Sequence, residues 1–349
     1  MTRGHPDPFP RNVLPASRLF RQPPRGRADA RVTMTRPRAV VPGRFYMITR
    51  RCAQRQFLLH PDDDAIQTFA YCLGYSMQKF EMEVLGTCVM SNHYHAVIFD
   101  RHGRYPQFLE YLHRTIARAM NVLRERREAF WTGDQVNVVR LDDYAAVIDK
   151  LCYTFVNPVR HNTVADPNDW PGLSTYKMLR RDTVLKVRRP DFFFRKNRPD
   201  SLPAYVELKM TIPEELGARA HVLADLKEHL ASAAEYWRAY HQARGRTPLG
   251  RRAVLRQSWW DFPAHDPNHE QWRTRRNRLK PTRASKDPLR REEAAIVDQT
   301  FLDDHRRARV ALKAGRPCVF PYGTYWHARF CGVDVARRPR GATGPFVTL

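Results

Sequence analysis

The sequence predicts an α+β fold: an antiparallel, ferredoxin-like sheet with helices on one face, followed by a mainly helical, basic C-terminal region. Two observations lead to this prediction. Apolar positions between residues 45 and 158 switch between strand-like and helical spacing in the order β-α-β-β-α-β-α. The two central strands are separated only by Ser91 and Asn92, a tight turn that makes them a hairpin. This order is the split βαβ arrangement.

Local sequence features explain where the predicted helices begin and end. Pro61 and three aspartates open the first helix, because acids in the first turn complement the helix dipole. Pro158 must end the third helix within about a turn. In chain order the pattern predicts strands at 45–49, 83–90, 93–99 and 136–141, helices starting near 61, 106 and 142, and a long helix at 214–240.

The net charge of the chain indicates which kinds of partner it can bind. Among 349 residues, 60 Lys and Arg stand against 36 Asp and Glu, a formal net charge of +24. Such an excess favours an anionic partner, with nucleic acid expected first and an anionic membrane surface as the competing interpretation. No apolar run reaches the roughly 18 residues of a membrane span, so no membrane partner is predicted. Six scattered cysteines without a Cys-x-x-Cys pair indicate a reducing cytoplasm and no structural zinc.

Composition divides the chain into four parts. Residues 1–40 hold nine Arg and only two acids without periodicity, which predicts a disordered basic arm, with Met34 as an alternative start. A domain at 41–180, a linker at 181–210 and a basic C-terminal region at 211–349 follow, with a boundary expected near residue 200. Residues 240–291 carry fourteen Lys and Arg against four acids.

Basic and aromatic side chains in these parts are candidate DNA contacts. Arg114 and Arg118 on the second helix are expected to reach phosphates, and Trp259 and Trp260 to stack on bases. For each residue taken singly, a solvated surface or a core tryptophan is the competing interpretation.

His93 and His95 open the third strand. Alternate side chains of a strand share a face, so the two imidazoles lie on one side, roughly 6 to 7 Å apart at their roots. Such a pair can hold one divalent metal. The alternative is a pair of surface histidines, or a core histidine with a satisfied hydrogen bond.

The third helix adds Tyr153 and Asn157, which are four residues apart and therefore share a helical face. A tyrosine with an amide one turn away is a candidate nucleophile with a further metal ligand, and Asp149 lies one turn earlier as a candidate supporting group. The alternative is a packing tyrosine and an asparagine that stops the helix before proline.

Three motifs resemble a known family. MSNHYHAVIF resembles the MPNHxHLLV strand of the single-tyrosine His-hydrophobic-His (HUH) transposases, and YTFVNPVRHNTV resembles the YIxxNPVRAGLV helix of their REP-associated tyrosine transposase branch. DWPGLSTY resembles the W-x-x-SSY close of that branch. The motifs stand in the same order across residues 44–180, rather under half of the chain. The resemblance implies an HUH endonuclease fold and a function in DNA transposition. It also implies a cytoplasmic, nucleoid-associated protein.

Carried over to this sequence, the resemblance assigns roles. His93, His95 and Asn157 would bind Mg or Mn, and Tyr153 would be the nucleophile that forms a 5′-phosphotyrosine. Arg160, in the same helix motif, is a further candidate DNA contact. The partner would be a single-stranded DNA hairpin, with residues 211–349 as a candidate hairpin-binding appendage. Relatives include homodimers and monomers, and both stay open. Asn157 stands where classical relatives have glutamine, a longer ligand.

Three functions remain open at this point. The first is a transposase-type enzyme that nicks and rejoins single strands. The second is a nucleic-acid-binding protein that has kept the fold and lost the chemistry. The third is a metal-dependent hydrolase in which activated water attacks and Tyr153 is dispensable. The presence of His93, His95, Tyr153 and Asn157 together favours the first.

Overall fold

The structure is a computed structural model and describes residues 37–134, 136–193, 202–263, 282–339 and 346. The predicted basic arm therefore falls almost entirely outside the described residues. The chain from Pro37 to Leu349 forms one compact unit. The boundary predicted near residue 200 does not divide it, because elements on both sides of that position pack on each other.

A five-stranded sheet organises this unit, with the strands in the order β2-β3-β1-β4-β7. All neighbours are antiparallel except β4 and β7, which are parallel. The α+β fold and the antiparallel sheet are confirmed. The strands are β1 (Arg44–Arg51), β2 (Glu83–Met90), β3 (His93–Asp100), β4 (Asn137–Leu141), β5 (Leu185–Arg188), β6 (Tyr205–Leu208) and β7 (Arg283–Ala284).

Helices begin where the sequence places capping residues. Asp62 and Asp143 accept hydrogen bonds from the backbone N–H groups of Ala65 and Ala146, which otherwise lack partners in a first turn. The helices are α1 (Asp63–Phe80), α2 (Tyr105–Leu123), α3 (Tyr144–Arg160), α4 (Tyr176–Arg181), α5 (Arg219–Gln242), α6 (Arg251–Arg256), α7 (Pro288–Lys313) and α8 (Trp326–Cys331).

The helices pack on both faces of the sheet. On one face, the Tyr94 ring lies 5.2 Å from that of Phe69 in α1, and its hydroxyl lies 2.6 Å from His113 Nε2 in α2. On the opposite face, the neighbouring His95 lies against α3. The prediction of helices on one face therefore holds for α1 and α2 and is wrong for α3. The apolar side of α3 includes Phe155, which seats on Gly86 of β2.

Residues 181–210, predicted to be a linker, contribute structure. Their strands β5 and β6 pair with each other antiparallel, and the hairpin packs on α1, where Val206 contacts Gly74. The prediction missed them because each strand has only four residues. Burial of Val187, Val206 and Leu208 holds the hairpin in place.

The C-terminal region is mainly helical, as predicted, and it is attached to the sheet domain. Helix α5 packs along α3, and β7 extends the sheet beside β4. Arg283 of β7 forms ion pairs with Asp142 and Asp298, at 3.6 and 2.7 Å. Within the described ranges, none of the helices is long and apolar enough to cross a membrane.

Candidate functional site

His93 and His95 stand at the start of β3, on the face that α3 covers. They pair in register with Arg51 and Thr49 at the end of β1. Their ring centroids are 4.9 Å apart and nearly perpendicular. Strand alternation therefore places both imidazoles on one face, as predicted.

The Nδ1 atoms of both rings are held by neighbouring side chains, so the Nε2 atoms point toward α3. His93 Nδ1 donates to Asn92 Oδ1 at 2.6 Å, and His95 Nδ1 lies 2.8 Å from Thr49 Oγ1. Such partners fix the orientation of an imidazole and direct its Nε2 elsewhere. His95 Nε2 is buried and has no hydrogen-bond partner among the described residues.

Both imidazoles are neutral at physiological pH. Burial, reinforced by His161 and Arg51, lowers the pKa of His93 to about 3. Burial and the neighbouring His93 hold the pKa of His95 well below its usual range. A neutral imidazole has a free lone pair, which is the form that binds metals.

Asn157 completes an arrangement suited to a cation. Its side chain is 0 % exposed, and its Oδ1 lies 3.2 Å from His93 Nε2. With the proton of the neutral His93 ring on Nδ1, where Asn92 Oδ1 accepts it, Nε2 would present a lone pair toward Asn157 Oδ1, and a cation shared by the two atoms would satisfy both. With metal bonds of about 2.1 Å, two ligands on adjacent octahedral corners lie about 3.0 Å apart.

The donor set therefore fits a divalent metal. Two imidazole nitrogens and an amide oxygen suit Mn and accept Mg, Zn or Co. In the part of the chain that the structure describes, no group of three or more His, Cys, Asp or Glu side chains is arranged to hold a metal. The candidate ligands are thus His93, His95 and Asn157.

Tyr153 lies beside these ligands. Its ring centroid is 5.1 Å from that of His95, with the rings nearly perpendicular, and the side chain is half-buried. The Arg160 guanidinium lies 4.7 Å from the Tyr153 ring centroid. The structure therefore brings His93, His95, Tyr153, Asn157 and Arg160 together on one face of the sheet.

Three predicted residues lie elsewhere. Asp149 pairs with Lys150 and Lys286, at 2.8 and 2.9 Å, which engages its carboxylate on the side of α7. Arg114 and Arg118 are exposed on α2, across the sheet from Tyr153. Arg114 pairs with Glu110 of its own helix at 3.7 Å.

Trp259 and Trp260 form a stacked pair with ring centroids 4.0 Å apart; Trp260 is 58 % exposed, whereas Trp259 is half-buried against the core. Gln56 Nε2 donates to the Trp260 carbonyl oxygen at 3.4 Å, which ties the pair to the loop after β1. The same loop accepts a hydrogen bond from Asn92 Nδ2 at the Arg55 carbonyl oxygen. The tryptophans therefore lie at the end of the sheet where His93 begins β3.

Sequence reasoning missed the groups that support the site. Asn92 had a readable signal, since it directly precedes His93 and its short side chain can reach that ring. Thr49 had no signal in the sequence, because its contact with His95 depends on the pairing of β1 with β3. Trp237 of α5, which lies 5.3 Å from the Arg160 guanidinium, had none either.

No family model and no curated protein matches the chain. The chain is similar to the solved structure of a REP-associated tyrosine transposase bound to a REP hairpin, at 16 % identity and a TM-score of 0.36. The similarity covers 48 % of this chain and 94 % of that one.

Proposed function

We propose that the protein is a transposase-type enzyme that nicks and rejoins single-stranded DNA, with Tyr153 as the nucleophile. One observation carries the proposal: His93 Nε2 and Asn157 Oδ1 meet at 3.2 Å, and the ring of the neighbouring His95 lies against Tyr153. A cation site next to a half-buried tyrosine hydroxyl suits phosphoryl transfer, which needs charge neutralisation and an in-line nucleophile.

The reaction exchanges one phosphodiester bond for another, so the number of such bonds is conserved. Tyr153 Oη loses its proton to solvent and attacks the phosphorus, so a tyrosine–phosphorus bond forms. The bond from phosphorus to the 3′ oxygen breaks, and that oxygen takes a proton and leaves as a 3′ hydroxyl. The DNA 5′ phosphate stays on Tyr153. Attack by a 3′ hydroxyl on this phosphotyrosine reverses the exchange, so strands rejoin without an external energy source.

The residues around Tyr153 divide the remaining work. His93, His95 and Asn157 would hold Mg or Mn, which when bound would neutralise charge on the phosphate oxygens. Thr49 and Asn92 keep the two imidazoles in the orientation that presents Nε2. The ring of Tyr153, packed between His95 and Arg160, has few orientations to sample, which lowers the entropic cost of placing its hydroxyl.

The surface supports a single-stranded DNA hairpin as the substrate. Trp260, stacked on the half-buried Trp259, offers an exposed aromatic platform at the His93 end of the sheet, where unpaired bases find a sequence-tolerant contact. The net charge of +24 supplies the electrostatic attraction to phosphates. Together with the three sequence motifs, these features favour a hairpin with unpaired flanks over duplex DNA.

Label transfer tests the proposal. A radiolabelled single-stranded hairpin library is incubated with the protein and Mn²⁺ and run on a denaturing protein gel. We expect a labelled band at the mass of the protein that is lost in Tyr153→Phe and in His93→Ala. Tyr176→Phe is the matched control, because Tyr176 lies outside the site and contacts Phe155.

Two outcomes contradict the proposal and separate the alternatives. Tight hairpin binding without any labelled protein indicates a binding protein that lacks the chemistry. Cleaved DNA without protein-linked label, unchanged in Tyr153→Phe, indicates a hydrolase that uses activated water.

A further inference from the structure

Arg160 occupies an unusual position between two aromatic rings. Its guanidinium carbon lies 4.7 Å from the Tyr153 ring centroid and 5.3 Å from that of Trp237. Tyr153 and Arg160 belong to α3, whereas Trp237 belongs to α5 in the C-terminal region. A cation in contact with two aromatic rings loses little rotamer freedom on binding an anion, because both contacts already restrict the side chain.

The N–H donors of Arg160 are uncommitted in the part of the chain that the structure describes. Among the described residues its guanidinium makes no hydrogen bond and no ion pair, although it is half-buried. It is close enough to the site for its charge to lower the pKa of His93, His95 and His161. An arginine whose donors are uncommitted beside a nucleophile is suited to phosphate oxygens, which it recognises through its fork of N–H groups.

Helix α5 fixes the end of α3 that carries Arg160. His241 Nε2 donates to the Arg160 carbonyl oxygen at 3.0 Å, in a buried contact. Just beyond α5, the backbone N–H groups of Leu249 and Gly250 donate to the carbonyl oxygens of Asn162 and Thr163, at 3.0 and 2.9 Å. The C-terminal region therefore determines where the last turn of α3, and with it the Arg160 guanidinium, is held.

We infer that Arg160 binds the scissile phosphate beside Tyr153, and that Trp237 is a positioning residue that acts through Arg160. The inference rests on the proposed function and extends it, because it makes α5 a part of the active site. Arg160 adds positive charge to the phosphate from the side of α3, opposite the strand that carries the two histidines. Trp237 holds the Arg160 guanidinium against Tyr153. The contacts among these three side chains therefore position both the nucleophile, Tyr153, and the anion-binding group, Arg160.

Single-turnover adduct formation tests this inference, measured with the Mn²⁺ label-transfer assay beside equilibrium hairpin binding. We expect Arg160→Gln to slow adduct formation about 100-fold, the size typical of a lost transition-state donor. We expect the slope of log affinity against log salt to fall by about 0.7, as for one lost phosphate contact to a single strand. Trp237→Leu should slow the reaction about tenfold with an unchanged salt slope, and Trp237→Phe should restore most of the rate.

Matched controls remove an arginine and an aromatic ring elsewhere. Arg244→Gln removes a guanidinium just beyond α5 that lies 3.6 Å from the Tyr240 ring centroid, and Tyr205→Leu removes a ring on β6 that is 50 % exposed. Both should leave the rate within about twofold, as expected for surface sites outside the stack. Melting temperature and hairpin affinity, measured for every variant, separate a local defect from unfolding.

The outcomes separate this inference from the proposed function. An adduct from the unchanged protein together with an unaltered rate in Arg160→Gln overturns the inference and leaves the proposed function standing. A Trp237→Phe variant as slow as Trp237→Leu overturns the role given to the stack. Absence of any adduct from the unchanged protein overturns the proposed function, and the inference with it.

Discussion

Gly86→Ala is expected to disturb both the fold and the chemistry through one contact. A methyl group built on Gly86 would lie 2.4 Å from Phe155 Cζ and 3.1 Å from Leu151 Cδ2. Carbon atoms in contact sit near 3.5 Å, so the Phe155 ring or the whole of α3 must retreat by roughly 1 Å. Phe155 is fully buried with Tyr176 packed on it, which leaves the ring little room to turn.

The magnitude follows from overpacking and from geometry. Overpacking a close-packed core costs about 1–3 kcal/mol, and we expect the free energy of unfolding to fall by that amount. Helix α3 also carries Tyr153 and Asn157, while His93 and His95 stay on the sheet. A displacement of about 1 Å between a nucleophile and its partners lowers the rate by about 100-fold.

Urea unfolding and single-turnover adduct formation measure the two effects. Gly133→Ala is the matched control, because nothing lies within 4 Å of the added methyl group. The double variant Gly86→Ala, Phe155→Leu removes the clashing Cζ and should recover part of both losses, with a coupling energy of about 0.5–3 kcal/mol. Unchanged stability and rate in Gly86→Ala would refute the packing of α3 on β2 described above.

Three further predictions concern the metal, the bases and the proton. Mn²⁺ at about 100 times its dissociation constant should raise the free energy of unfolding of the unchanged protein by about 2.7 kcal/mol and that of His95→Ala not at all. Thermal unfolding measures both, and His229→Ala, which removes an exposed histidine, is the control. Trp260→Ala should weaken binding of a single-stranded hairpin by about 1–3 kcal/mol without changing the salt slope, whereas Trp326→Ala, on α8, should not; equal losses would contradict the stacking platform. Burial, helped by the Arg50 charge, lowers the pKa of His113 to about 3, so only the unfolded chain binds this proton between about pH 6.5 and 3. The free energy of unfolding should therefore fall as pH drops through that window, and less steeply in His113→Asn, as urea titrations at pH 7 and 5 would report.

Local pattern accounts for the parts of the site that the sequence predicts. The alternation of β3 puts His93 and His95 on one face, and helical spacing puts Tyr153 and Asn157 on another. Both are properties of a single element, so they can be read without knowing how elements pack. The capping aspartates Asp62 and Asp143 are predictable for the same reason.

Contacts between distant elements explain what the sequence does not predict. The side of the sheet that α3 occupies depends on Gly86 leaving room for Phe155, a contact between two residues more than 60 positions apart in the chain. The four-residue strands β5 and β6 carry too little pattern to be recognised. The stack of Trp237 on Arg160 requires α5 to lie on α3, and no periodicity in either helix specifies its partner.

The most direct test of the central claim is to find the residue that carries the DNA. After reaction with a hairpin and Mn²⁺, nuclease and trypsin treatment releases the peptide Leu151–Arg160, whose only tyrosine is Tyr153. The account predicts that mass spectrometry finds a nucleotide 5′ phosphate on Tyr153 of this peptide. A nucleotide on any other residue, or cleaved DNA with this peptide wholly unmodified, would contradict the account.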